Sequence, residues 1–521
     1  MKSFLQRFGN HVLGVLTGFD RLRFRGTKRF LANAKGMMNY LWQVGVRIRD
    51  FREYALERTN QLQRATEALC REQGRPLKYL TSSNTSKEEE ALTLAQRDGV
   101  KSGLIGVFSC VEPCQSYDVF FNQSTGRWEL RSRPRRCLHY YHYYRDPQLG
   151  LMHIRLQSWF PFTMYIGMNG RHWLAQQLDA AGIRYQKREN CLIGVDDFTR
   201  AQSLLEEQLR TEWPTLLGSL AVRANPVEGA MLTRPAPYYW SLESSEWATD
   251  LVFASRPALA ALYPTLVHHA IEHMSSRDVL RYLGRKASFG PDRYGSFAGE
   301  VITDYKERYE GVRVKHCVNA NSIKMYDKQT RVLRVETTLN QPGEFKVWRP
   351  VEGDPQGPKD WRQLRKGVAD LQRRAEVCQR ANERYLENLA TAADTTPLRQ
   401  WAEPLCKPAH WQGQRVRALN PLGEQDAALL VAINRGEFVL AGFRNKDLRG
   451  ILYPSSAKAL PPERRRQSAA VTRLIRLLRG HGLIKKVNKT HRYLLTERGR
   501  HAIPALLAAR QADTTKLTNA A

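Results

Sequence analysis

Acidic residues recur at short spacings in the middle of the chain, a pattern suited to metal-assisted phosphodiester chemistry. Glu246 and Asp250 are four residues apart in a strand-like segment, and Asp327 and Glu336 flank a predicted turn. Two or three carboxylates can hold a divalent cation beside a scissile phosphate. We take these four as candidate catalytic acids, and Asp327 and Glu336 as candidate ligands of Mg²⁺ or Mn²⁺. The plainer interpretation is that each acid is a solvated charge on a sheet.

The segment NSIKMYDKQTRVLRVETTLN, residues 321–340, alternates apolar and polar residues on both sides of a turn, which predicts a β-hairpin. Its order of Tyr-Asp-Lys, a gap and Arg-x-Glu resembles the strand pair of rolling-circle replication initiator proteins of plasmids and filamentous phages. This resemblance implies a sheet whose exposed face binds a metal and a DNA strand. Lys324, Lys328 and Arg334 would then contact phosphates.

The same resemblance implies a nucleophilic tyrosine that attacks the phosphate and forms a covalent phosphotyrosine. Tyr305 and Tyr309, in DYKERYEG, are the candidates because Lys306 and Arg308 are their neighbours. A competing hypothesis is a transposase of the three-carboxylate class, in which Asp20 of GFDRLRF would be the first acid.

The charge balance indicates a polyanionic partner. The chain of 521 residues carries 81 Lys and Arg against 51 Asp and Glu, a formal net charge of +30. Nucleic acid, DNA and also RNA, is the usual partner of so basic a folded protein. An anionic membrane surface is the rival, but no apolar run is long enough to span a bilayer. The opening segment also lacks the apolar core of a signal peptide, so we expect a cytoplasmic protein without a membrane partner.

Four potential zinc ligands lie in one region, because CVEPC and CLHYYHYY place Cys110, Cys114, Cys137 and His139 within thirty residues. Thiolates and imidazoles are the ligands that zinc prefers. Buried free cysteines are the preferred interpretation, since eight cysteines without regular spacing suit a reduced, cytosolic chain. Zinc stays the alternative.

Aromatic residues alternate with basic ones in CLHYYHYYRDPQLGLMHIRLQSWFPF. Single-stranded nucleic-acid binders present such aromatic rings, because every base has a face that can stack. Tyr141, Tyr143 and Trp159 are the candidate stacking residues. The alternative is that they are core residues and cross-strand pairs.

Residues 421–521 predict three helices, a hairpin and a final helix. This order, and HGLIKKVNKTHRYLLTERGR in particular, resembles the winged helix-turn-helix of bacterial DNA-binding proteins. In such modules the third helix enters the major groove and the wing reaches phosphates. The candidate nucleic-acid contacts on the helix and wing are Arg464, Arg465, Arg466, Arg473, Arg476, Lys489 and Arg492.

The order of helical and strand-like patterns along the sequence predicts an α+β multidomain protein. We expect a helical N-terminal region over 1–100, an α+β domain over 101–230 and a second, with an antiparallel meander, over 231–355. A long basic helix and linker over 356–420 and the winged helix over 421–521 complete the chain.

Together these patterns favour a nucleic-acid-binding protein that cleaves or transfers DNA strands with a divalent metal, in a mobile or replicating element. The alternative from another class is a non-catalytic binder. It would hold structured RNA or single strands on its aromatic and basic surfaces, and duplex on the winged helix.

Overall fold

A computed structural model of the protein describes all residues except 228, 230–231, 233–235, 285–300, 310, 352, 355, 393–397, 436–437, 439–441, 455–459, 488–489 and 512–521. The chain divides into two compact units. The sheet unit comprises Phe8–Ala261 and Ile302–Glu383, and the C-terminal unit comprises Met1–Arg7, Leu262–Val301 and Arg384–Ala521. The structure is thus a mixed α and β protein, as the sequence predicts at this coarse level.

The sheet unit is built around one large sheet of eleven strands. Its strands are β1 (Val12–Thr27), β2 (Leu77–Tyr79), β3 (Gly103–Asn122), β4 (Arg127–Asp146), β5 (Gly150–Gln157), β6 (Met164–Asn169), β9 (Tyr239–Phe253), β10 (Val301–Arg308), β11 (Gly311–Val318), β12 (Asn321–Lys328) and β13 (Val332–Thr338). They are ordered β10-β11-β12-β13-β9-β1-β6-β5-β4-β3-β2. The sheet is mixed, because β2 pairs with β3 in parallel while the pairs between β3 and β11 are antiparallel.

Smaller elements complete the sheet unit. They are the hairpin β7 (Tyr185–Arg188) and β8 (Cys191–Val195), the hairpin β14 (Lys346–Arg349) and β15 (Asp360–Gln363), and the helices α2 (Ala34–Gln43), α3 (Phe51–Glu72), α4 (Lys87–Arg97), α5 (Gly170–Ala180), α6 (Phe198–Glu206) and α7 (Trp213–Ala224). Two more helices, α8 (Arg256–Glu272) and α10 (Leu371–Leu389), begin in this unit and end in the C-terminal unit.

The central strands have two differently covered faces. We call the face that carries Glu246 and Glu336 the site face, and the opposite one the back face. On the back face the Asn382 amide of α10 donates to the Val335 carbonyl at 3.0 Å and to Thr249 Oγ1 at 3.2 Å. This helix therefore fixes β9 and β13 from behind.

Strand β1 replaces part of the helical region that the sequence predicts for residues 1–100. Glycines make the strand accessible to helix α6, because a Cβ at Gly14 would lie 2.2 Å from the Phe198 ring and one at Gly18 would lie 2.6 Å from Leu205. Pairing with β6 and β9, whose residues are far away in sequence, holds the segment extended.

The expected boundary between the domains over 101–230 and 231–355 is also corrected. Strands β3 to β6 and β9 to β13 belong to the same sheet, joined through the β1–β9 pair. Of the antiparallel meander predicted within 231–355, strands β11, β12 and β13 are confirmed as neighbours, whereas β14 pairs with β15 in a separate small sheet. The long helix begins only at Leu371.

The C-terminal unit has a core of its own, centred on residues such as Leu430, Leu448, Val471 and Ile503. Its other elements are α1 (Lys2–Phe8), α9 (Ser276–Tyr282), α11 (Leu398–Ala402), β16 (Ala409–Trp411), β17 (Gln414–Val416), α12 (Glu424–Ile433), α13 (Asn445–Leu452), α14 (Pro461–Gly480), β18 (Ile484–Lys486), β19 (Tyr493–Leu495) and α15 (Glu497–Gln511). None of the helices described in either unit combines the length and apolar character needed to cross a bilayer.

Candidate functional site

The register of β9 and β13 brings distant acidic residues onto the site face. Glu336 pairs with Ala248, and Arg334 pairs with Asp250. Since side chains two residues apart on a strand point to the same face, Glu246 and Asp250 lie on the same side as Glu336. Two of the acids predicted from the sequence, Glu246 and Glu336, thereby come together.

A β-bulge on β1 supplies a third acid. The β1–β9 register shifts between Phe19 and Arg21, so that Asp20 is the extra residue. Such a bulge re-aims side chains beside a functional site. Here Asp20 joins the two glutamates, and one carboxylate oxygen from each of Asp20, Glu246 and Glu336 lies within 4.8 Å of the others. We call these three residues the acid triad.

The triad is enclosed but reachable from one side. Asp20 and Glu336 are each 3% exposed, while the Glu246 side chain is 17% exposed. The Asp20 carboxylate accepts a hydrogen bond from the Asn190 amide at 3.2 Å through Oδ2. Its buried Oδ1 accepts no hydrogen bond among the described residues, although Arg334 Nη1 lies 3.2 Å away. Asp20 Oδ1 is therefore held by the Arg334 charge as an ion pair without a hydrogen bond.

Lys324 of β12 bridges two members of the triad. Its ammonium donates to Glu336 Oε1 at 2.7 Å and to Glu246 Oε1 at 3.0 Å. Burial disfavours the charged ammonium, but the two glutamates outweigh it and raise the pKa of Lys324 well above its usual value. Burial and the nearby Glu246 raise the pKa of Glu336, whereas Lys324 and Arg21 hold the pKa of Glu246 low against its burial.

Next to the triad lies a fully buried ionic scaffold around Asp250. Arg334 donates to Asp250 through Nε at 2.6 Å, and Arg171 of α5 donates through its Nε at 2.9 Å. Burial alone would raise the pKa of Asp250, but the two guanidinium groups hold it below its usual value. Asp250 is therefore a structural anion whose two oxygens both accept hydrogen bonds, which corrects its prediction as a catalytic acid.

Four carboxylates and four cations meet at this cluster. The carboxylates are Asp20, Glu246, Asp250 and Glu336, and the three buried cations are Lys324, Arg171 and Arg334. The fourth cation, Arg21, approaches Glu246 at 3.8 Å from the solvent side, with its side chain 65% exposed. Of the four cations, Arg21 is therefore the one that faces solvent.

Asp327 does not belong to the cluster. It pairs with Leu333, whereas Lys324 pairs with Glu336, so Asp327 is on the back face and Glu336 is on the site face. Burial raises the pKa of Asp327. The predicted metal pair of Asp327 and Glu336 is therefore wrong, and Glu336 finds its partners on β9 and β1 instead.

The three predicted phosphate contacts of the hairpin are buried. Arg334 is fully covered, and Lys324 and Lys328 are 8% and 5% exposed. Lys328 lies over the Tyr326 ring at 4.8 Å. These cations organise the acids and the hairpin, and they are not a surface for a nucleic-acid backbone.

The candidate tyrosines lie away from the triad. Tyr305 is on β10, at the edge of the sheet and three strands from β13, which is about 14 Å at the usual strand spacing. Tyr309, which follows β10, is 91% exposed. Tyr326, by contrast, lies on the site face opposite Arg334, and burial with the charge of Glu336 raises its pKa to about 12. Tyr326 is therefore not activated as a phenolate.

The predicted zinc ligands lie on neighbouring positions of β3 and β4. Cys110 pairs with His139, and its thiol donates to Glu112 at 3.2 Å. Cys137 Sγ lies 4.0 Å from His139 Nδ1, and the Cys114 and Cys137 thiols are hydrogen-bonded to each other. Within the part of the chain that the structure describes, these residues do not form a metal-ligand group, and all four sulfur or imidazole groups have protein partners.

The predicted stacking residues differ in accessibility. Tyr143 is in the core, stacked on His153 at 5.2 Å, so it is not a binding platform. Tyr141 is half-buried and donates to Glu112 at 2.7 Å, and Trp159 is half-buried. Tyr165 of β6, half-buried among arginines, is a better candidate that the sequence analysis missed.

Arginines of β1 were also missed. Arg21, Arg23 and Arg25 alternate with Leu22 and Phe24, which are buried. This period of two, in DRLRFRG, is the signal of a strand with one basic face. The helical pattern of the residues that follow conceals this signal.

The predicted contacts of the C-terminal unit are mostly on the surface. Arg464, Arg465, Arg466, Arg473 and Arg476 of α14 are exposed. Arg492 is half-buried, and its Nη1 donates to the Gly442 carbonyl at 3.3 Å. Lys489 lies outside the described residues. The elements α12, α13, α14 and the β18–β19 hairpin follow the predicted order.

Comparison with protein-family models, with curated proteins and with solved structures gives no match for this chain.

Proposed function

We propose that the sheet unit is a metal-dependent enzyme that cleaves or transfers strands of nucleic acid. Asp20, Glu246 and Glu336 would hold one Mg²⁺ or Mn²⁺ ion. The observation that carries this proposal is the convergence of these three carboxylates, from three adjacent strands, within 4.8 Å of one another. Carboxylate oxygens are the ligands that these hard cations prefer.

The metal would polarise the scissile phosphate and activate the attacking oxygen. The side chains of the chain itself have distinct tasks. The Lys324 ammonium donates to both Glu336 and Glu246 and thereby holds these two carboxylates side by side. The Asn190 amide orients the carboxylate of Asp20 through its Oδ2. The Asp250 scaffold keeps β9 and β13 in register beneath them.

The substrate follows from the surrounding charge. A formal net charge of +30 favours a polyanion, and Arg21 stands exposed at the mouth of the triad. Three carboxylates at one metal also agree with the hypothesis of a three-carboxylate transposase, in which Asp20 is the first acid. The rolling-circle hypothesis loses support, because its tyrosine and its Asp327 lie away from the triad.

The test is a cleavage assay. End-labelled single-stranded and duplex DNA and RNA are incubated with the protein and Mg²⁺ or Mn²⁺, and products are separated on a denaturing gel. We expect cleavage by the native chain, and at least a hundred-fold loss in Asp20→Asn, Glu246→Gln and Glu336→Gln with binding kept. Asp327→Asn, in the same hairpin but on the back face, is the matched control. Equal cleavage in all variants, or none by the native chain, contradicts the proposal.

A second candidate function is a non-catalytic nucleic-acid binder. It is favoured by the position of Lys324, whose ammonium already neutralises Glu246 and Glu336 at hydrogen-bond distance. In that case the triad is a structural ion cluster. Native chain that binds all substrates tightly, but cleaves none with either metal, would support this candidate.

For the C-terminal unit we propose duplex binding through α14. Its exposed arginines lie on a twenty-residue helix that is followed by a short hairpin. Phe443 pairs with Tyr493 in a further bridge to that hairpin, and Asn445 of α13 donates to the Ser468 carbonyl of α14 at 3.0 Å. Two packed helices beside a hairpin that is extended by the bridge at Phe443 support the resemblance to a winged helix-turn-helix.

A further inference from the structure

Strand β1 carries a row of arginines that leads to the acid triad. In the regular register of β1 with β6, Arg21 pairs with Asn169, Arg23 with Gly167 and Arg25 with Tyr165. The three arginines are therefore on one face, about 6.6 Å apart in steps of two residues. Arg21 approaches Glu246 at 3.8 Å, so this is also the site face.

The row continues across the neighbouring strands through Tyr165. The guanidinium carbons of Arg23, Arg25 and Arg155 lie 4.8, 5.9 and 5.2 Å from the centre of its ring. Arg155 of β5 is in turn 5.8 Å from the Tyr141 ring. We call Arg21, Arg23, Arg25, Arg155 and Tyr165 the arginine row. It joins cations and half-buried aromatic rings in one continuous band.

The donors of this band are incompletely used. The Nε atoms of Arg23, Arg25 and Arg155 are buried and make no hydrogen bond among the described residues. The pairing of Arg25 with Glu243 is loose, at 3.8 Å, and both side chains are well exposed. The donors that a bound phosphate can reach are the exposed guanidinium groups of Arg21 and Arg25, whose side chains are 65% and 40% exposed. Arg155 is instead held by its ion pair with Glu112 at 2.8 Å.

We infer that the arginine row binds the backbone of single-stranded nucleic acid and directs it into the acid triad. Successive arginines of β1 would each contact a phosphate, and a base would stack at Tyr165. An unpaired strand is the substrate class, because a base within a duplex already has both of its faces covered. This inference rests on the proposed function, whose substrate it specifies.

The order of the residues along β1 gives the path a direction. Arg25, Arg23 and Arg21 precede Asp20 when β1 is followed toward its N-terminal end. A strand bound along the row therefore reaches the triad directly after Arg21. The bulge at Asp20 and Arg21 turns both the last cation and the first acid to the site face.

The test is binding of fluorescein-labelled twelve-nucleotide single strands and the matching duplex, measured by anisotropy in EDTA. Without metal, the outcome does not depend on catalysis. Arg23→Gln combined with Arg25→Gln should weaken single-strand binding at least ten-fold and lower the salt slope by about 1.4, from two phosphate contacts. Tyr165→Ala should weaken it at least about five-fold, and Tyr165→Phe should restore it because stacking needs only the ring.

Arg184→Gln is the control, since Arg184 is exposed and lies in the same unit. Arg21→Gln is a second variant of the row, chosen because Arg21 is its most exposed member. It tests the row without the loss of folding that the double variant risks. Single-strand binding unchanged in the row variants, or lowered equally in Arg184→Gln, overturns the inference. A loss of duplex binding without a loss of single-strand binding also overturns it. If only the proposed function is wrong, the row variants still weaken single-strand binding, while the native chain cleaves no substrate.

Discussion

Lys324 and Glu336 are directly opposite each other on β12 and β13, and the Lys324 ammonium donates to the Glu336 carboxylate at 2.7 Å inside the sheet unit. The same ammonium also reaches Glu246, on the strand beyond, at 3.0 Å. One buried cation thus holds together two acids that would otherwise repel each other. The triad depends on this contact.

Replacing Lys324 by Gln should make the stability of the protein depend on divalent metal. The two glutamates lose their shared partner, which we expect to cost about 3–5 kcal/mol in free energy of unfolding in EDTA. A metal bound at 100 times its Kd would return about 2.7 kcal/mol. Urea unfolding with and without Mn²⁺ measures both effects.

The control for Lys324 is Lys315→Gln, because Lys315 lies opposite Lys324 on β11. A loss no larger than in this control, without any response to Mn²⁺, would show that the bridge is unimportant.

Replacing Asp250 by Asn should destabilise the protein in a pH-dependent way. The native pKa of Asp250 is lowered, because Arg171 and Arg334 outweigh its burial. Its contribution is therefore fully present above the ordinary pKa of about 3.9 and is lost as the pH falls through the lower native value. We expect a loss of about 3–5 kcal/mol at pH 7 and a smaller difference from the native chain at pH 3.

The control for Asp250 is Asp196→Asn, whose pair with Arg184 at 2.9 Å is mostly solvent-exposed. Such a surface pair should contribute less than about 1 kcal/mol at either pH. Thermal or urea unfolding at the two pH values measures the difference. A gap between native chain and Asp250→Asn that stays constant with pH would contradict the ionic scaffold.

The hairpin over 321–340 could be predicted from sequence, because its alternation fixes both strands and their turn. The faces of its side chains were not deduced, since they depend on the register that sets Lys324 against Glu336 and Asp327 against Leu333. Glu246 and Glu336 were found as acids, but their proximity comes from strands ninety residues apart in the chain.

Other parts of the site could not be predicted by local reasoning. Asp20 reaches the triad only because β1 bulges against β9, and a bulge has no period that a sequence pattern reveals. Gly14 and Gly18 admit α6 from nearly two hundred residues away. In contrast, the alternating arginines of β1 carried a readable signal, and the helical texture of the following segment concealed it.

Strand cleavage should leave no tyrosine-linked product. Burial raises the pKa of Tyr326 to about 12, and Tyr305 is at the sheet edge. A water molecule or a nucleic-acid hydroxyl is therefore the expected nucleophile. Denaturing protein gels of reactions with end-labelled DNA check this. A labelled protein band in the native chain that disappears in Tyr326→Phe, Tyr305→Phe or Tyr309→Phe would restore a covalent mechanism.

The exposed arginines of α14 should contribute to duplex binding. Arg473→Ala and Arg476→Ala should each weaken binding by about 1–3 kcal/mol if they reach bases, and less if they contact only phosphates. Arg510→Ala, also exposed but on α15, is the control. Anisotropy with labelled duplex at several salt concentrations measures the change. Duplex binding that is equal in all three variants would assign this helix to another partner.

The most direct test of the central claim is Mn²⁺ binding, followed by the electron paramagnetic resonance signal of the free ion. We expect one Mn²⁺ per native chain, at least ten-fold weaker binding in Asp20→Asn and Glu336→Gln, and unchanged binding in Asp327→Asn on the back face. Binding that is equal in the native chain and in all three variants, or absent from the native chain, would contradict a metal site formed by Asp20, Glu246 and Glu336.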